Sequence, residues 1–312
     1  MVGNLIEVAM GSVDELKEKI AELKERLRAV IVAHNYQRPE IQDIADFTGD
    51  SLELARRCTE VDTETIIFCG VHFMAETAAI LNPESIVLLT EGSAGCPMAD
   101  TISADELKEW KGRYPRALVV SYVNSTAGVK AESYSCCTSA NGVKVVDAVP
   151  SDEILFVPDQ NLGHYVSTQT TKRIVLYPGY CYVHHRIKPE HVRMARALHP
   201  DARLIVHPEC RPEVVVLADA VLSTSQMLRH VKGSSQHSFI IGTEEGLLHP
   251  LRKENPDKSF YLLLNSQVCT DMKKTTLETL AETMEMGKNR VIVPEEIRLK
   301  AKQAVERMIA VG

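Results

Sequence analysis

The segment RAVIVAHNY (residues 28–36) recurs in this chain as RALVVSYVN (116–124) and again as ARLIVHPEC (202–210). Each copy is an apolar run that ends in polar residues. The aligned polar residues, spaced by 88 and then 85 positions, are His34, Tyr122 and His207. The segments TIIFCG, EILFVP and SFIIGT repeat with the same two spacings. Separate segments that share one pair of spacings indicate a triplicated domain.

Each copy contains four short runs rich in Val, Ile and Leu, separated by segments with helical periodicity. In the first copy the predicted strands lie near Ala29–Ala33, Phe47–Gly49, Thr65–Cys69 and Ser85–Thr90. Apolar strands that alternate with helices are typical of parallel sheets covered by helices on both faces. The predicted fold class is therefore α/β, with three α/β/α sandwich domains, each with a four-stranded parallel sheet, related by a pseudo-threefold axis.

The repeat also sets the predicted domain limits. The three α/β/α repeats are expected at residues 28–104, 105–191 and 192–285. Two terminal segments lie outside the repeat. Residues 1–27 contain a predicted helix near Val13–Arg28, and residues 286–312 contain a predicted helix after Pro294. Both terminal helices are expected to be packing elements. The active site is expected where the three domains meet.

The composition argues against several classes of function. The chain has 312 residues, 45% of them hydrophobic and 25% charged, and 35 Lys+Arg against 42 Asp+Glu give a net charge of −7. An acidic chain without a basic run is not expected to bind nucleic acid. Its longest apolar stretches have strand length, which predicts no membrane span. Because the N-terminus lacks a signal-peptide pattern, we expect a cytoplasmic protein with reduced thiols.

Eight cysteines occur without any CxxC pair, so a metal site must be assembled from distant parts of the chain. Ligands of open parallel sheets bind beyond the carboxyl ends of the strands. The loop after each predicted fourth strand contains one cysteine: Cys96, Cys181 and Cys269. Three converging thiolates suit either zinc with an open position or a cubane iron–sulfur cluster with one free iron. Cys58 and Cys69, within apolar patterns, are expected to be buried core residues.

Polar side chains follow the first strand of every copy and are expected to face the same junction as the thiolates. They are His34, Tyr36, Tyr122, Asn124, His207 and Glu209. Hydroxyl residues follow the second strands and precede helices: Ser51, Ser139, Ser223 and Thr224. Each is expected to be a helix N-cap. The N-terminus of a helix attracts anions, so three such helix starts predict a site for a small, multiply anionic substrate.

Several long motifs resemble those of the quinolinate synthase family, over about residues 15–290. The motifs are AHNYQRPEIQDIADFTGDSLELA, GCPMAD, SYVNSTAGVKAES, CTSANGVKVV, FVPDQNLGHYV, PGYCYVHHRI, VHPECRPEV, ADAVLSTS and VCTDMKKTTLETL. The resemblance implies three α/β/α domains with one [4Fe–4S] cluster per chain at their junction. It also implies that Cys96, Cys181 and Cys269 are the three ligands, whereas Cys210 is not a ligand.

The resemblance further implies that iminoaspartate (iminosuccinate) condenses with dihydroxyacetone phosphate to give quinolinate, phosphate and water, with the open iron as a Lewis acid. The residues that it assigns to substrate binding are His34, Ser51, Tyr122, Asn124, Ser139, His207, Glu209, Ser223 and Thr224. The candidates for catalysis are Tyr36, Tyr122, His207 and Glu209. Glu209 and Tyr122 are the expected proton-transfer groups, followed by His207. Iminoaspartate is expected to arrive by transient handover from the enzyme that makes it.

Two alternatives remain open from the sequence. A zinc-dependent lyase or hydrolase can use the same three thiolates, and the colour of anaerobically purified protein separates it, because zinc is colourless and an iron–sulfur cluster is brown. A non-catalytic small-molecule binding protein built of repeated α/β domains has no need of three convergent cysteines. The chain contains neither a P-loop nor a strand-linked GxGxxG, so a nucleotide cofactor is not predicted.

Overall fold

The computed structural model describes the backbone of residues 2–311 and the side chains of residues 13–311. Its twelve strands form three four-stranded sheets, and the strand pairs within them are parallel. This confirms the predicted α/β class and the triplicated parallel sheet. Met1 and Gly312, the outermost residues of the two predicted terminal segments, lie outside the described residues.

The strand order is identical in the three sheets. The first sheet has the order β2-β1-β3-β4 and contains β1 (Ala29–His34), β2 (Phe47–Gly49), β3 (Thr65–Cys69) and β4 (Ile86–Leu89). The second has the order β6-β5-β7-β8 and contains β5 (Leu118–Tyr122), β6 (Ser135–Cys137), β7 (Glu153–Val157) and β8 (Arg173–Leu176). The third has the order β10-β9-β11-β12 and contains β9 (Arg203–Val206), β10 (Ala220–Val221), β11 (Ser238–Gly242) and β12 (Ser259–Leu262). One order repeated three times is what a triplicated unit produces.

Equivalent strands also pair in the same register. The last residue of each third strand lies beside the first strand of its sheet, in the pairs Ala33–Cys69, Ser121–Val157 and Val206–Gly242. The third strands are apolar and almost entirely buried, because helices cover both faces of a parallel sheet. The carboxyl ends of the three first strands therefore stop at comparable positions, and these ends carry the polar residues predicted for the site.

Fifteen helices lie among the described residues. Those of the first repeat and its flanks are α1 (Val2–Arg26), α2 (Pro39–Ile44), α3 (Ser51–Glu60), α4 (His72–Leu81) and α5 (Ala104–Arg113). The next are α6 (Ala127–Ala131), α7 (Gly142–Ala148), α8 (Gln160–Ser167), α9 (Tyr182–His185) and α10 (Pro189–Leu198). The last are α11 (Pro212–Val215), α12 (Thr224–Gly233), α13 (Leu248–Glu254), α14 (Leu277–Met286) and α15 (Glu295–Val311). Short 3-10 turns occupy Ala99–Thr101, Glu245–Leu247 and Met272–Lys274.

The helix that precedes the second sheet and the helix that precedes the third each pack on the sheet that follows. α5 packs in the core of the second sheet, and α10 packs in the core of the third. Leu280 of α14 packs with Ile67 of β3, so the helix after the third repeat returns to the first. The third repeat therefore contacts the first through α14. The limits 28–104, 105–191 and 192–285 remain predictions, and the last of these spans includes a helix that packs on the first sheet.

The terminal helices act as packing elements. α15 begins directly after Pro294, as predicted, and packs against α4, α6 and β6. α1 packs against α14 and β1. The predicted bounds Val13–Arg28 are wrong at both ends: α1 spans Val2–Arg26, and Arg28 has a left-handed φ of 44°, which ends the helix. None of the described helices has both the length and the apolar character needed to cross a membrane.

Candidate active site at the junction of the three sheets

A cavity of about 70 Å³ lies where the three repeats meet. Twelve of the thirteen predicted site residues line it: His34, Tyr36, Ser51, Cys96, Tyr122, Asn124, Ser139, Cys181, His207, Glu209, Thr224 and Cys269. His34 and Tyr122 are the last residues of β1 and β5, and His207 directly follows β9. Equivalent strand ends in three sheets therefore deliver polar side chains to one enclosed space.

The loop after each fourth strand brings one cysteine to the cavity. Cys96 follows β4, Cys181 follows β8 and Cys269 follows β12. In the second repeat this loop passes close to the chain before α8. A Cβ on Gly179 would lie 2.5 Å from the carbonyl oxygen of Pro158, so glycine is required for the approach that places Cys181.

The three thiols form a set of donors that fits a metal centre. Burial, together with the neighbouring Cys269, raises the pKa of Cys96 to about 12. Burial and the charge of Glu209 raise the pKa of Cys181 well above its ordinary value, and the other two thiols add to the effect. Three thiolates in such a place repel one another unless a cation neutralises them, which is what metal coordination does. The donor set therefore suits a metal centre.

Glu209 lies at the centre of the polar network. Its Oε2 is 2.6 Å from Nδ1 of His184 and 3.3 Å from Nδ1 of His207, and all three side chains are buried. Burial alone would raise the pKa of Glu209, but the facing rings of His184 and His207 bring it below its ordinary value. Its Oε1 has no hydrogen-bond partner among the described residues. Glu209 is thus a carboxylate with one oxygen free to meet a ligand.

His184 is a site residue that the sequence analysis missed. Its Nδ1 also lies 3.3 Å from Sγ of Cys181, and its Nε2 lies 2.9 Å from Oγ1 of Thr243. Its ring stacks on that of His207, with the centroids 4.6 Å apart. Ligand atoms of Cys181, His184 and Glu209 lie within 4.8 Å of one another, a group that could hold a metal ion. The available signal was the spacing, because three residues along one helical turn return the side chain to Cys181.

Tyr36 and Tyr122 present neutral phenols to the cavity. Burial and the charge of Glu209 raise the pKa of both hydroxyls well above the ordinary value. The hydroxyl of Tyr36 lies 2.5 Å from Oγ1 of Thr243, and Tyr122 lines the same cavity as Glu209. At neutral pH both side chains therefore keep a proton that they can donate.

His34 and Asn124 add uncharged hydrogen-bonding groups. Burial, followed by the charge of His207, lowers the pKa of His34 from 6.5 to about 3. Its Nδ1 accepts the backbone N–H of Tyr36 at 3.1 Å, which fixes the ring. Oδ1 of Asn124 is buried and has no hydrogen-bond partner in the described part of the chain. These groups can orient a polar ligand without adding charge to the site.

The expectation that four hydroxyl residues are N-caps holds for one of them. Ser223 caps α12 through its hydroxyl. The expectation is wrong for Ser51, Ser139 and Thr224. α3 is capped by Asp50, whose carboxylate binds two backbone N–H groups where a serine hydroxyl typically binds one. α7 begins after Asn141, and Thr224 is already within α12.

Ser223 is also the predicted site residue that the cavity lining leaves out. It is fully buried, and its Oγ donates to Oδ2 of Asp50 at 3.1 Å. Asp50 lines the cavity, and burial raises its pKa. Ser223 therefore supports Asp50, a second residue that the sequence analysis missed, although Asp50 directly follows a predicted strand.

Cysteines outside the trio lie in the apolar cores. Cys58 and Cys69 are buried, as predicted, and burial raises the pKa of Cys58 to about 12. Cys210 is buried as well, and its Sγ donates to the carbonyl oxygen of Gly242 at 3.5 Å. These thiols are inert core groups.

A cavity lined by three thiols, buried histidines and a carboxylate, drawn from three repeats, defines a metal-dependent enzyme. The family model described as NadA: Quinolinate synthetase A protein matches residues 18–310, and the chain belongs to this family. The chain is similar to a quinolinate synthase of Thermodesulfovibrio yellowstonii, with 55% identity over 298 residues that cover 95% of this chain and 98% of the relative. Quinolinate synthases of Dehalococcoides mccartyi and Methanoregula boonei are 58% and 52% identical, with the same coverage.

Proposed function

We propose that the chain is a quinolinate synthase, which condenses iminoaspartate (iminosuccinate) with dihydroxyacetone phosphate and releases quinolinate, phosphate and two molecules of water. The observation that carries the proposal is the junction cavity, to which every repeat contributes a thiol, a polar strand end and a hydroxyl. Membership of the family supports the same reaction. Both substrates are small anions, and the hydroxyl groups and neutral rings of this small site can donate hydrogen bonds to them.

Cys96, Cys181 and Cys269 are the residues that would hold one [4Fe–4S] cluster. Their place on three equivalent loops around one cavity supports this ligand set. When bound, the cluster supplies a Lewis-acidic iron without a protein ligand, which stabilises developing negative charge and assists the loss of water. The other residues of the cavity must bind the two anions, orient them and move protons.

Glu209 is the proposed general base. A carboxylate whose pKa is lowered is ionised at neutral pH, and its free Oε1 is the atom that accepts the proton. His184 and His207 hold Oε2, so the direction of Oε1 is fixed before the substrate arrives. His207 is the next group able to take up a proton from Glu209.

Tyr122 is the proposed proton donor to a departing hydroxyl. Its raised pKa keeps the phenol protonated, and Tyr122 and Glu209 line one cavity, where a proton can pass back between them. Glu209 removes a proton from the substrate, Tyr122 gives one to the departing water, and transfer from Glu209 to Tyr122 restores both groups. Tyr36 and Asn124 would orient the intermediates.

The substrate anions are assigned to the remaining polar groups of the cavity. His34, Ser51, Ser139 and Thr224 would donate hydrogen bonds to the carboxylates of iminoaspartate and to the phosphate group. Ser139 is already fixed by Nε2 of His207 at 3.1 Å. Eight free cysteines fit a reducing compartment, so we place the reaction in the cytoplasm, with iminoaspartate handed over by the enzyme that makes it.

Product analysis tests the proposal. Anaerobically reconstituted protein is incubated with iminoaspartate and dihydroxyacetone phosphate, and quinolinate and phosphate are measured. We expect quinolinate and phosphate in equal amounts, and neither product when iminoaspartate is omitted. Cluster-loaded protein that forms no quinolinate from the two substrates would overturn the assignment.

A zinc-dependent lyase or hydrolase has one observation in its favour. Cys181, His184 and Glu209 offer a thiolate, an imidazole and a carboxylate close together, as in mononuclear zinc sites. A zinc ion held there would leave Cys96 and Cys269 without a role, although both line the same cavity. Protein loaded with zinc alone should therefore form no quinolinate, and activity of that preparation would favour the zinc enzyme.

A further inference from the structure

Two buried carboxylates occupy the same position in the second and third repeats. Asp159 lies two residues beyond the end of β7, and Glu244 lies two residues beyond the end of β11. The two are 85 residues apart, which is the repeat spacing. Both have an exposure of 0%. Neither is among the residues proposed for substrate binding or proton transfer.

Each carboxylate accepts the backbone N–H of one proposed cluster ligand. Oδ2 of Asp159 lies 3.1 Å from the backbone nitrogen of Cys181. Oε1 of Glu244 lies 3.1 Å from the backbone nitrogen of Cys269. The same bond, at the same length, is thus made twice by acidic residues at one repeat position. Such a recurrence ties the two acids to the cysteines, and Oε1 of Glu244 also pairs with Nζ of Lys273 at 3.0 Å.

The second oxygen of each carboxylate is fixed within its own repeat. Oδ1 of Asp159 caps α8 by accepting the N–H groups of Asn161 and Leu162, each at 2.8 Å. Oε2 of Glu244 accepts the N–H of Gly246 at 2.7 Å, at the start of a 3-10 turn. Each carboxylate therefore connects the rigid end of a central strand to the loop that carries the cysteine.

The first repeat holds its cysteine differently. Val71, 88 residues before Asp159, occupies the equivalent position and is buried. The loop of Cys96 is held instead from the third repeat, where Oδ1 of Asp271 accepts the N–H of Gly95 at 3.3 Å. This bond is longer and reaches the neighbour of the cysteine. Direct carboxylate support is therefore specific to Cys181 and Cys269.

We propose that Asp159 and Glu244 are positioning residues that fix Cys181 and Cys269 as cluster ligands, an inference that rests on the proposed function. The carboxylate sets where the backbone of each cysteine lies and hence where its Sγ points. It also keeps the N–H of the cysteine away from sulfur. Hydrogen bonds to sulfur help to set the reduction potential of an iron–sulfur cluster, so the two acids would affect the potential as well as the retention of iron.

The test uses Asp159→Asn and Glu244→Gln in the full chain. Each amide keeps the size of the carboxylate but offers one acceptor oxygen instead of two. In Asp159→Asn the oxygen stays with the two N–H groups of α8, and the amide NH2 then opposes the N–H of Cys181. Asn is a good N-cap, so the fold is retained while the bond to the cysteine is broken.

Iron and sulfide per chain are measured after anaerobic reconstitution, together with the midpoint potential and the EPR spectrum of the reduced cluster. We expect both variants to bind iron roughly 10- to 100-fold more weakly and the remaining cluster to have a more positive potential. Asp219→Asn is the matched control, because Oδ2 of Asp219 accepts the N–H of Leu204 at 2.7 Å, at the start of β9. This control should keep the iron content and the potential of the wild type.

The outcomes separate this proposal from the proposed function. A wild-type chain that binds no cluster contradicts the cofactor assignment itself. A wild-type chain that binds the cluster, together with two variants of unchanged iron content, spectrum and potential, overturns the positioning role alone. If Asp159→Asn does not fold, Asp159→Ser takes its place, because serine also caps a helix but has no second oxygen for Cys181. Unchanged iron and potential in a folded Asp159→Ser variant would likewise overturn the role.

Discussion

The interiors of the three sheets and the junction between them are equally buried but are built from different side chains. Ile67, Phe156 and Ile240 in the sheets have an exposure of 0%, and His184 and Glu209 at the junction have 1% and 3%. Burial of apolar groups stabilises a fold, whereas burial of polar groups costs free energy unless they are fully paired. The contrast indicates that the sheets supply stability and that the junction is built for a bound ligand.

Two unpaired oxygens make the contrast sharper. Oε1 of Glu209 and Oδ1 of Asn124 are buried without a hydrogen-bond partner among the described residues, and both residues line the cavity. An unpaired buried acceptor costs about 1–3 kcal/mol. A ligand that donates hydrogen bonds to both oxygens would remove that cost. Ligand binding can therefore lower the free energy of the junction by pairing these oxygens, whereas the sheet cores offer no such unpaired groups among the described residues.

The largest effect on turnover is expected at the junction, from Glu209→Gln and Tyr122→Phe. Each variant removes a proton-transfer group but keeps its shape, and such groups typically contribute about 100- to 10,000-fold to the rate. We expect a loss of that size in kcat, with iron content and thermal unfolding as in the wild type. Glu60→Gln on the exposed end of α3 is the control. Near-normal turnover of both junction variants would exclude the proton-transfer roles, and loss of iron would instead place the residues in support of the cluster.

A substitution within a sheet should lower stability and leave turnover unchanged. Ile240 is fully buried in β11, and truncation of such a residue to alanine typically costs about 2–5 kcal/mol. We expect Ile240→Ala to lower the free energy of unfolding in urea by that amount, while kcat per bound cluster stays unchanged. Met194→Ala on the exposed face of α10 serves as the control for both measurements. A fall in kcat per cluster without a fall in stability would contradict the division between sheets and junction.

The smallest effect concerns the pH dependence of stability. The pKa of His34 is about 3 in the folded chain and 6.5 in the unfolded chain, so below pH 6.5 the unfolded state binds a proton that the folded state does not. The stability that the chain has above pH 6.5 with a neutral His34 is therefore lost as the pH falls towards 3. The free energy of unfolding should fall by about 2 kcal/mol between pH 7 and pH 5 on this account. His34→Asn keeps an acceptor for the N–H of Tyr36 but does not titrate.

The stability of this variant should therefore fall by about 2 kcal/mol less than that of the wild type over the same pH range. Urea unfolding of both iron-free proteins at pH 7 and at pH 5 gives the comparison. Equal losses in the two proteins would mean that His34 is not buried as the neutral ring.

The fold was predictable because the repeat constrains it three times. The alignment of His34, Tyr122 and His207 fixed the register of the first strands, and the parallel sheets followed from the apolar runs between helices. Helix ends were harder to predict, because they depend on single contacts. The N-cap of α3 is Asp50 instead of Ser51, since a carboxylate can bind two N–H groups. The position of α14 was not predictable, because it depends on packing against α1 and the first sheet.

The site was predictable where the repeat marked it and was missed where a contact joins two repeats. Twelve of the thirteen predicted residues line the cavity. Ser223 does not, because its hydroxyl is used by Asp50 of another repeat. His184 was missed because its role depends on Glu209, 25 residues further along the chain. Asp159 and Glu244 obey the repeat spacing, and an alignment of acidic residues would have found them.

The central claim is that thiols from three repeats hold one cluster, and iron and acid-labile sulfide per chain test it most directly. Single Cys→Ser variants are reconstituted anaerobically and compared by content and absorption spectrum. The account predicts about four iron and about four sulfide per chain in the wild type and in Cys58→Ser, whose thiol lies in a sheet core. It predicts near-complete loss of both in Cys96→Ser, Cys181→Ser and Cys269→Ser. Full loading of Cys181→Ser with the wild-type spectrum, or one zinc in place of the iron, would contradict the account.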